Sequence, residues 1–110
     1  MLPVFERLGD VESKAVVMAR IADVLSARGE TEEALRIYHE EVLPVFERLG
    51  DAQATIDCRI KLSRELIRRG QAGDRSEARA HLETARGEAE RLRLRGSAVI
   101  KDLLESLRDE

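Results

Sequence analysis

Leu2-Pro3-Val4-Phe5-Glu6-Arg7-Leu8-Gly9-Asp10 returns unchanged, 41 residues later, as Leu43-Pro44-Val45-Phe46-Glu47-Arg48-Leu49-Gly50-Asp51. Nine identical positions at a fixed distance mark an internal repeat, and periods of this length belong to architectures in which one supersecondary unit stacks on the next. The pair Arg28-Gly29 recurs at Arg69-Gly70 with the same offset, so Gly9, Gly29, Gly50 and Gly70 punctuate the chain every 20 or 21 residues. Glycine just past a helix end takes a positive φ without steric penalty, and a basic residue before it suits the negative end of the helix dipole. Arg28, Arg48 and Arg69 stand in that place.

Between the glycines the apolar spacing is helical. Met18, Ile21, Ala22 and Leu25 follow i, i+3, i+4, i+7, and Ala34, Ile37, Tyr38, Val42, Val45 and Leu49 trace one stripe on the next segment. Asp10 and Asp51 are placed as N-caps for the helices after them, and Thr31 with Glu32 and Glu33 offers a cap and an acidic first turn. The second unit continues through Ile56, Ile60, Leu62, Leu66 and Ile67, then a longer turn at Gly70-Gln71-Ala72-Gly73-Asp74. A helix with Ala78, Leu82, Ala85, Ala89 and Leu92 follows, with Asp74 and Glu77 spaced as a capping box. From Ser97, the residues Val99, Ile100, Leu103, Leu104 and Leu107 describe a short amphipathic helix.

Pro44 interrupts a stripe that continues through it. An internal proline removes a backbone hydrogen bond and costs about 3 kcal/mol or more. The continuity of the stripe predicts a kinked helix. The alternative is a helix that ends near Leu43 and restarts with proline in its first turn.

Composition agrees with an all-helical chain. Of the 110 residues 43% are hydrophobic and 37% charged, enough apolar material for a core and far from the signature of disorder. Only Phe5, Tyr38 and Phe46 are aromatic, while Leu, Ala, Glu and Arg dominate, which excludes all-β folds. A single cysteine, Cys58, allows no internal disulfide, and no apolar run approaches the roughly 20 residues of a membrane span, so a reducing cytoplasm is the expected setting. The net charge of −3 conceals an asymmetry. Residues 10–50 carry 5 basic and 9 acidic side chains, and residues 51–95 carry 11 basic and 8 acidic.

Helix pairs, a glycine-bearing turn and a period near 40 make the chain resemble the tetratricopeptide repeat family, in its longer variety of roughly 40–42 residues ending in Leu-Gly-Asp. Anchored on Gly29, Ala22 takes the small position of the first helix beside Ile21 and Leu25, and Ala34 and Tyr38 take the small and aromatic positions of the second. Anchored on Gly70, Leu62, Ser63 and Leu66 match, followed after three extra turn residues by Ala78, Leu82 and Ala85. Met18 and Arg59 depart from the family's initial aromatic position, and Glu41 from its second alanine. The resemblance implies an all-α fold, a right-handed superhelical array of antiparallel helix pairs. Residues 1–9 would be the tail of a preceding repeat's second helix, 10–50 a first repeat, 51–95 a second, and 96–110 a C-terminal capping helix. A chain that opens mid-repeat reads as a piece of a longer array. Small residues at Ala22, Ala34 and Ser63 would let helices approach to about 8–10 Å, with Tyr38 filling the gap between units.

Catalysis has little to rest on. His39 and His81 are the only histidines, no zinc-binding His-Glu-x-x-His or glycine-rich phosphate loop is present, and one cysteine with two distant histidines makes no triad. No catalytic, cofactor-binding or metal-ligating residue is assigned, and no cofactor is expected. Charge is the better lead, because Lys61, Arg64 and Arg68 follow i, i+3, i+7 with Asp57 one turn upstream. In the resembled family the first helix of each pair lines a concave groove, which maps Asp23, Ala27, Asp57, Ile60, Arg64, Ile67 and Arg68 to a partner-binding surface. Arginines there would take carboxylates or phosphates through bidentate, charge-assisted bonds. The plainer reading is a solvated face, or an internal pairing with Asp23. Carboxylate-clamp members of the family carry Asn where Asp23 and Arg64 stand, so chaperone-tail binding is not implied.

Three function classes follow. The chain is a module that binds a protein or peptide, acidic in character, in its groove. Alternatively it is a structural segment that self-associates, a homodimer or larger, with its acidic unit against its basic one. Nucleic-acid binding through residues 59–75 is the weakest, because no aromatic platform is interleaved with the arginines.

Overall fold

The structure, a computed structural model, describes residues 4–108, with side chains from Gly9 onward. It is all-helical, with no strand among the described residues. The elements are α1 (Val4–Ala27), α2 (Thr31–Arg36), a π-helical segment (Ile37–Val42), α3 (Leu43–Leu49), α4 (Ala52–Arg69), α5 (Asp74–Leu92) and α6 (Ser97–Arg108). The molecule measures 55 × 33 × 19 Å and its radius of gyration is 14.6 Å, against about 13 Å for a compact domain of 100 residues. Helices laid side by side account for this flattened, elongated form.

The two copies of the repeated stretch end differently. At the second copy Gly50 adopts φ 72°, and the Asp51 carboxylate accepts from the Ala54 amide at 3.1 Å, so one helix stops and the next starts as the sequence predicts. At the first copy the expected boundary is absent. α1 runs through Gly9 and Asp10 without a turn, so Asp10 is no N-cap and residues 4–9 are continuous with the first helix of the first unit. Seven identical residues, Val4–Asp10 and Val45–Asp51, thus take two conformations, and tertiary context decides between them. α3 packs against α1 and α4, which fixes the turn after it.

Other caps also differ from expectation. Glu30, not Thr31, is the N-cap of α2 and makes no side-chain cap bond. At α5 the N-cap is Gly73, and the Asp74 carboxylate turns back to accept from Arg69 Nε and Nη2, at 2.8 and 2.7 Å, and from the Gln71 amide. A guanidinium outbids a helix amide for that carboxylate because both partners are charged.

Pro44 is accommodated by widening the helix before it. Helical conformation persists from Thr31 to Leu49, but Ile37–Val42 are wound as a π-helix, and the Leu43 amide donates five residues back to the Tyr38 carbonyl. Such wide turns absorb the ring and the missing amide that would strain an α-helix. The distortion is therefore spread over the six residues upstream rather than focused at the proline.

The core follows the predicted stripes except at Ile21, Leu92 and Val99, which are exposed. Ala22, Ala34, Ser63 and Ala78 are fully buried, as close helix approach requires. Ile37, Tyr38 and Val42 join Ile56, Leu62, Leu66 and Leu82 in the interior. Ile21, placed with the core by its spacing, is 42% exposed on the far side of α1, and Ala15 takes part instead. Arg69 reaches Glu32 at 2.8 Å at one end, and Arg59 reaches Glu47 at 2.9 Å at the other. These pairs show that the helical run from Thr31 to Leu49 lies antiparallel to α4. At the C-terminal end α6 packs on α5 through Ile100, Leu104 and Leu107. Gly96 enters α6 at φ 114°, where a Cβ would sit 3.2 Å from Ile60 Cδ1, so the chain turns hard against α4.

Candidate functional site

α1 and α4 carry corresponding residues at an offset of 41. Val16, Ala19, Arg20 and Asp23 lie 41 residues before Asp57, Ile60, Lys61 and Arg64. The helices stand apart along much of their length, and a cleft of about 310 Å³ opens between them. Val16, Ala19, Arg20 and Asp23 form one wall, Ala54, Asp57 and Lys61 the other, and Tyr38, Val42, Phe46 and Cys58 the floor. A second cleft of about 350 Å³ shares Asp57 and Lys61 and extends the surface past Ile60 and Arg64 to Arg95, Gly96 and Val99. Together they form a run with an apolar floor and a rim of Arg20, Lys61, Arg64 and Arg95.

Polar bonds close one end of the groove. The Tyr38 hydroxyl donates to Asp23 Oδ1, and Lys61 Nζ donates to Asp23 Oδ2 at 3.0 Å. Burial first, and then the Asp23 carboxylate, push the Tyr38 hydroxyl well above its ordinary pKa, so it remains a donor at any physiological pH. One turn further, Ser26 Oγ donates to the buried Glu65 at 2.5 Å, and Arg68 donates to the Ser26 carbonyl and Oγ at 3.2 Å. Cys58 in the floor donates to the Tyr38 carbonyl at 3.6 Å. Burial pushes its thiol up to about 12, which removes thiolate character at neutral pH.

The residues assigned from sequence divide accordingly. Asp23, Asp57, Ile60 and Arg64 line the clefts. Ala27, Ile67 and Arg68 do not: Ala27 is exposed beyond the closed end, Ile67 packs on the core, and Arg68 is turned toward α1. Asp23 does have an internal partner, but it is Lys61, one turn before Arg64. Among the described residues Arg64 makes no ion pair, whereas Arg59, Lys61, Arg68 and Arg69 of the same helix all do. Val16, Ala19, Arg20, Lys61, Arg95 and Val99 were not assigned. Val16, Ala19 and Arg20 were legible as the residues 41 positions before Asp57, Ile60 and Lys61, and Lys61 by its spacing from Arg64, while Arg95 and Val99 arrive only through the turn at Gly96.

A larger depression of about 640 Å³ lies between α3 and α5. Its charges are satisfied internally, Arg59 by Glu47 and Arg91 by Glu88, with the rim residue Glu83 held by Arg86. The groove with a free guanidinium is the stronger candidate. Among the described residues no group of three His, Cys, Asp or Glu side chains is arranged to hold a metal, and no helix is long and apolar enough to cross a membrane. No family model, curated protein or solved structure matches the chain.

Proposed function

We propose that the chain is a protein-interaction module of tetratricopeptide type, a right-handed array of antiparallel helix pairs that holds an extended or helical segment of a partner between α1 and α4. The reading has no catalytic step and needs no cofactor, and it places the module in a reducing cytoplasm. One observation carries it: Arg64 lines a cleft of about 350 Å³ with an aliphatic floor and, alone among the cations of its helix, has no carboxylate. With Arg95 beside it and Lys61 already paired to Asp23, the site suits an acidic group on a segment that also carries an apolar side chain for Ile60 and Val99. A guanidinium can grip a carboxylate in two parallel bonds, and the adjoining low-polarity floor strengthens that attraction.

The test is selection from a displayed peptide library followed by anisotropy titration on the full chain. Selected peptides are expected to be acidic around one or two apolar residues, and Arg64→Glu with Arg95→Glu is expected to weaken them by about tenfold or more. Both side chains are exposed, so circular dichroism of the variant should be unchanged. Equal binding to wild type and to the charge-reversed variant would sink the reading.

A further inference from the structure

Adding 41 to a residue of α1 gives its counterpart on α4: Val17, Ile21, Leu25 and Arg28 correspond to Cys58, Leu62, Leu66 and Arg69. On α4 these positions are covered. Cys58, Leu62 and Leu66 are 3%, 1% and 2% exposed, and Arg69 meets Glu32. What covers them is the antiparallel run from Thr31 to Leu49, with Glu32, Leu35 and His39 beside Leu62, Leu66 and Arg69. On α1 Val17 and Ile21 face solvent, Leu25 is half-buried, and the exposed Arg28 just past the helix end pairs with Glu30 at 3.5 Å. Val17 is 54% exposed, Ile21 42% and the neighbouring Val24 55%, and with Arg20, Leu25 and Arg28 they line an open depression of about 370 Å³. Isolated exposed aliphatics are ordinary, but a contiguous stripe on one helix face marks a surface that another element covers.

The conformation of the first repeat copy points the same way. Where a helix like Thr31–Leu49 covers the following helix, Leu-Gly-Asp forms a turn at Gly50, and where none does, the same residues stay helical through Gly9. We propose that the outer face of α1 is a docking surface for an amphipathic helix of a partner protein, laid antiparallel to α1. Its acidic first turn meets Arg28, and its aliphatic and aromatic side chains cover Leu25, Ile21 and Val17. Charge favours such a partner over a second copy. In a second copy the segment with this chemistry is already engaged on α4, the outer side of α6 carries exposed Lys101, Asp102, Glu105 and Arg108, and two α1 faces would bring Lys14, Arg20 and Arg28 together with their own kind.

The probe is a fluorescent peptide with the sequence of residues 30–50, titrated onto the full chain. Saturable binding is expected, weakened about tenfold or more by Val17→Glu with Val24→Glu, about fivefold by Arg28→Glu, and unchanged by the groove variant Arg64→Glu with Arg95→Glu. Equal affinity for wild type and for the Val17, Val24 variant would overturn the proposal. A graft offers a second reading in which peptide solubility plays no part. Placing residues 30–42 directly before Leu2 rebuilds a complete helix, because residues 2–10 already repeat residues 43–51. The graft is expected to raise the melting midpoint and to block the peptide, and both effects should vanish with Val17→Glu and Val24→Glu. An unchanged midpoint with peptide still bound would overturn the proposal. So would a dimer of the ungrafted chain in sedimentation that the same two substitutions dissolve, since that would give the face to a second copy.

Discussion

Asp10 and Asp51 are the same residue in the same local sequence, yet only Asp51 caps a helix. Asp51→Ala should therefore cost about 1 kcal/mol in urea unfolding, the usual worth of an N-cap, while Asp10→Ala should stay within about 0.5 kcal/mol. His81 gives a prediction in pH. Its ring is mostly buried and Nδ1 lies 2.7 Å from Arg59 Nη1, so burial first and the nearby guanidinium second hold its pKa below 6.5. A lowered histidine pKa means that the unfolded chain takes up the proton first. Stability should fall as pH drops through about 6.5, and His81→Gln should flatten the dependence of the urea midpoint between pH 7.5 and 5.5. The carboxylates of Glu33 and Asp74 are held below their ordinary values of 4.5 and 3.8, foremost by hydrogen bonds from Arg36 and Arg69. Their contribution is lost only at more acid pH, which keeps the two windows apart.

The helices themselves make the paired glycines informative. Gly9 lies inside α1, where a Cβ would meet nothing within 4 Å, and Gly50 ends α3 at φ 72°. Gly9→Ala should stabilise the protein by up to about 1 kcal/mol through helix propensity, whereas Gly50→Ala should destabilise it by a similar amount, both measured by thermal melting. Opposite signs for one substitution at two copies of one motif would confirm that neighbours, not local sequence, set the turn. The same physics marks how far the sequence could be read. Helix existence, the buried alanines and the caps at Gly50-Asp51 follow from periodicity and end chemistry, which act locally. The fate of Gly9, the π winding before Pro44 and the capture of Asp74 by Arg69 depend on what packs alongside. In the groove, the α4 wall was legible from the spacing of Asp57, Ile60 and Arg64. The pairing of Asp23 with Lys61 instead of Arg64 was not, because it turns on the relative translation of two helices by a single turn.

As a whole the molecule presents a charged surface on α6 and an aliphatic one on α1. α6 buries Ile100, Leu104 and Leu107 against α5, and each fully buried aliphatic side chain contributes about 1.5–3 kcal/mol. Against a typical domain stability of about 5–15 kcal/mol, truncation after Arg95 should remove most of the cooperative melting transition seen by circular dichroism. At the other end, α1 shows Val17, Ile21 and Val24 to solvent. The charged outer side of α6 has a consequence for stoichiometry. An exposed apolar edge that finds a complementary face elsewhere on the same molecule adds subunits head to tail without closing, and the product is a fibre. Here the distal face offers Lys101, Asp102, Glu105 and Arg108 in place of such a complement. On the proposed docking at α1, growth is expected to stop after a single addition, giving a complex of one defined mass in sedimentation.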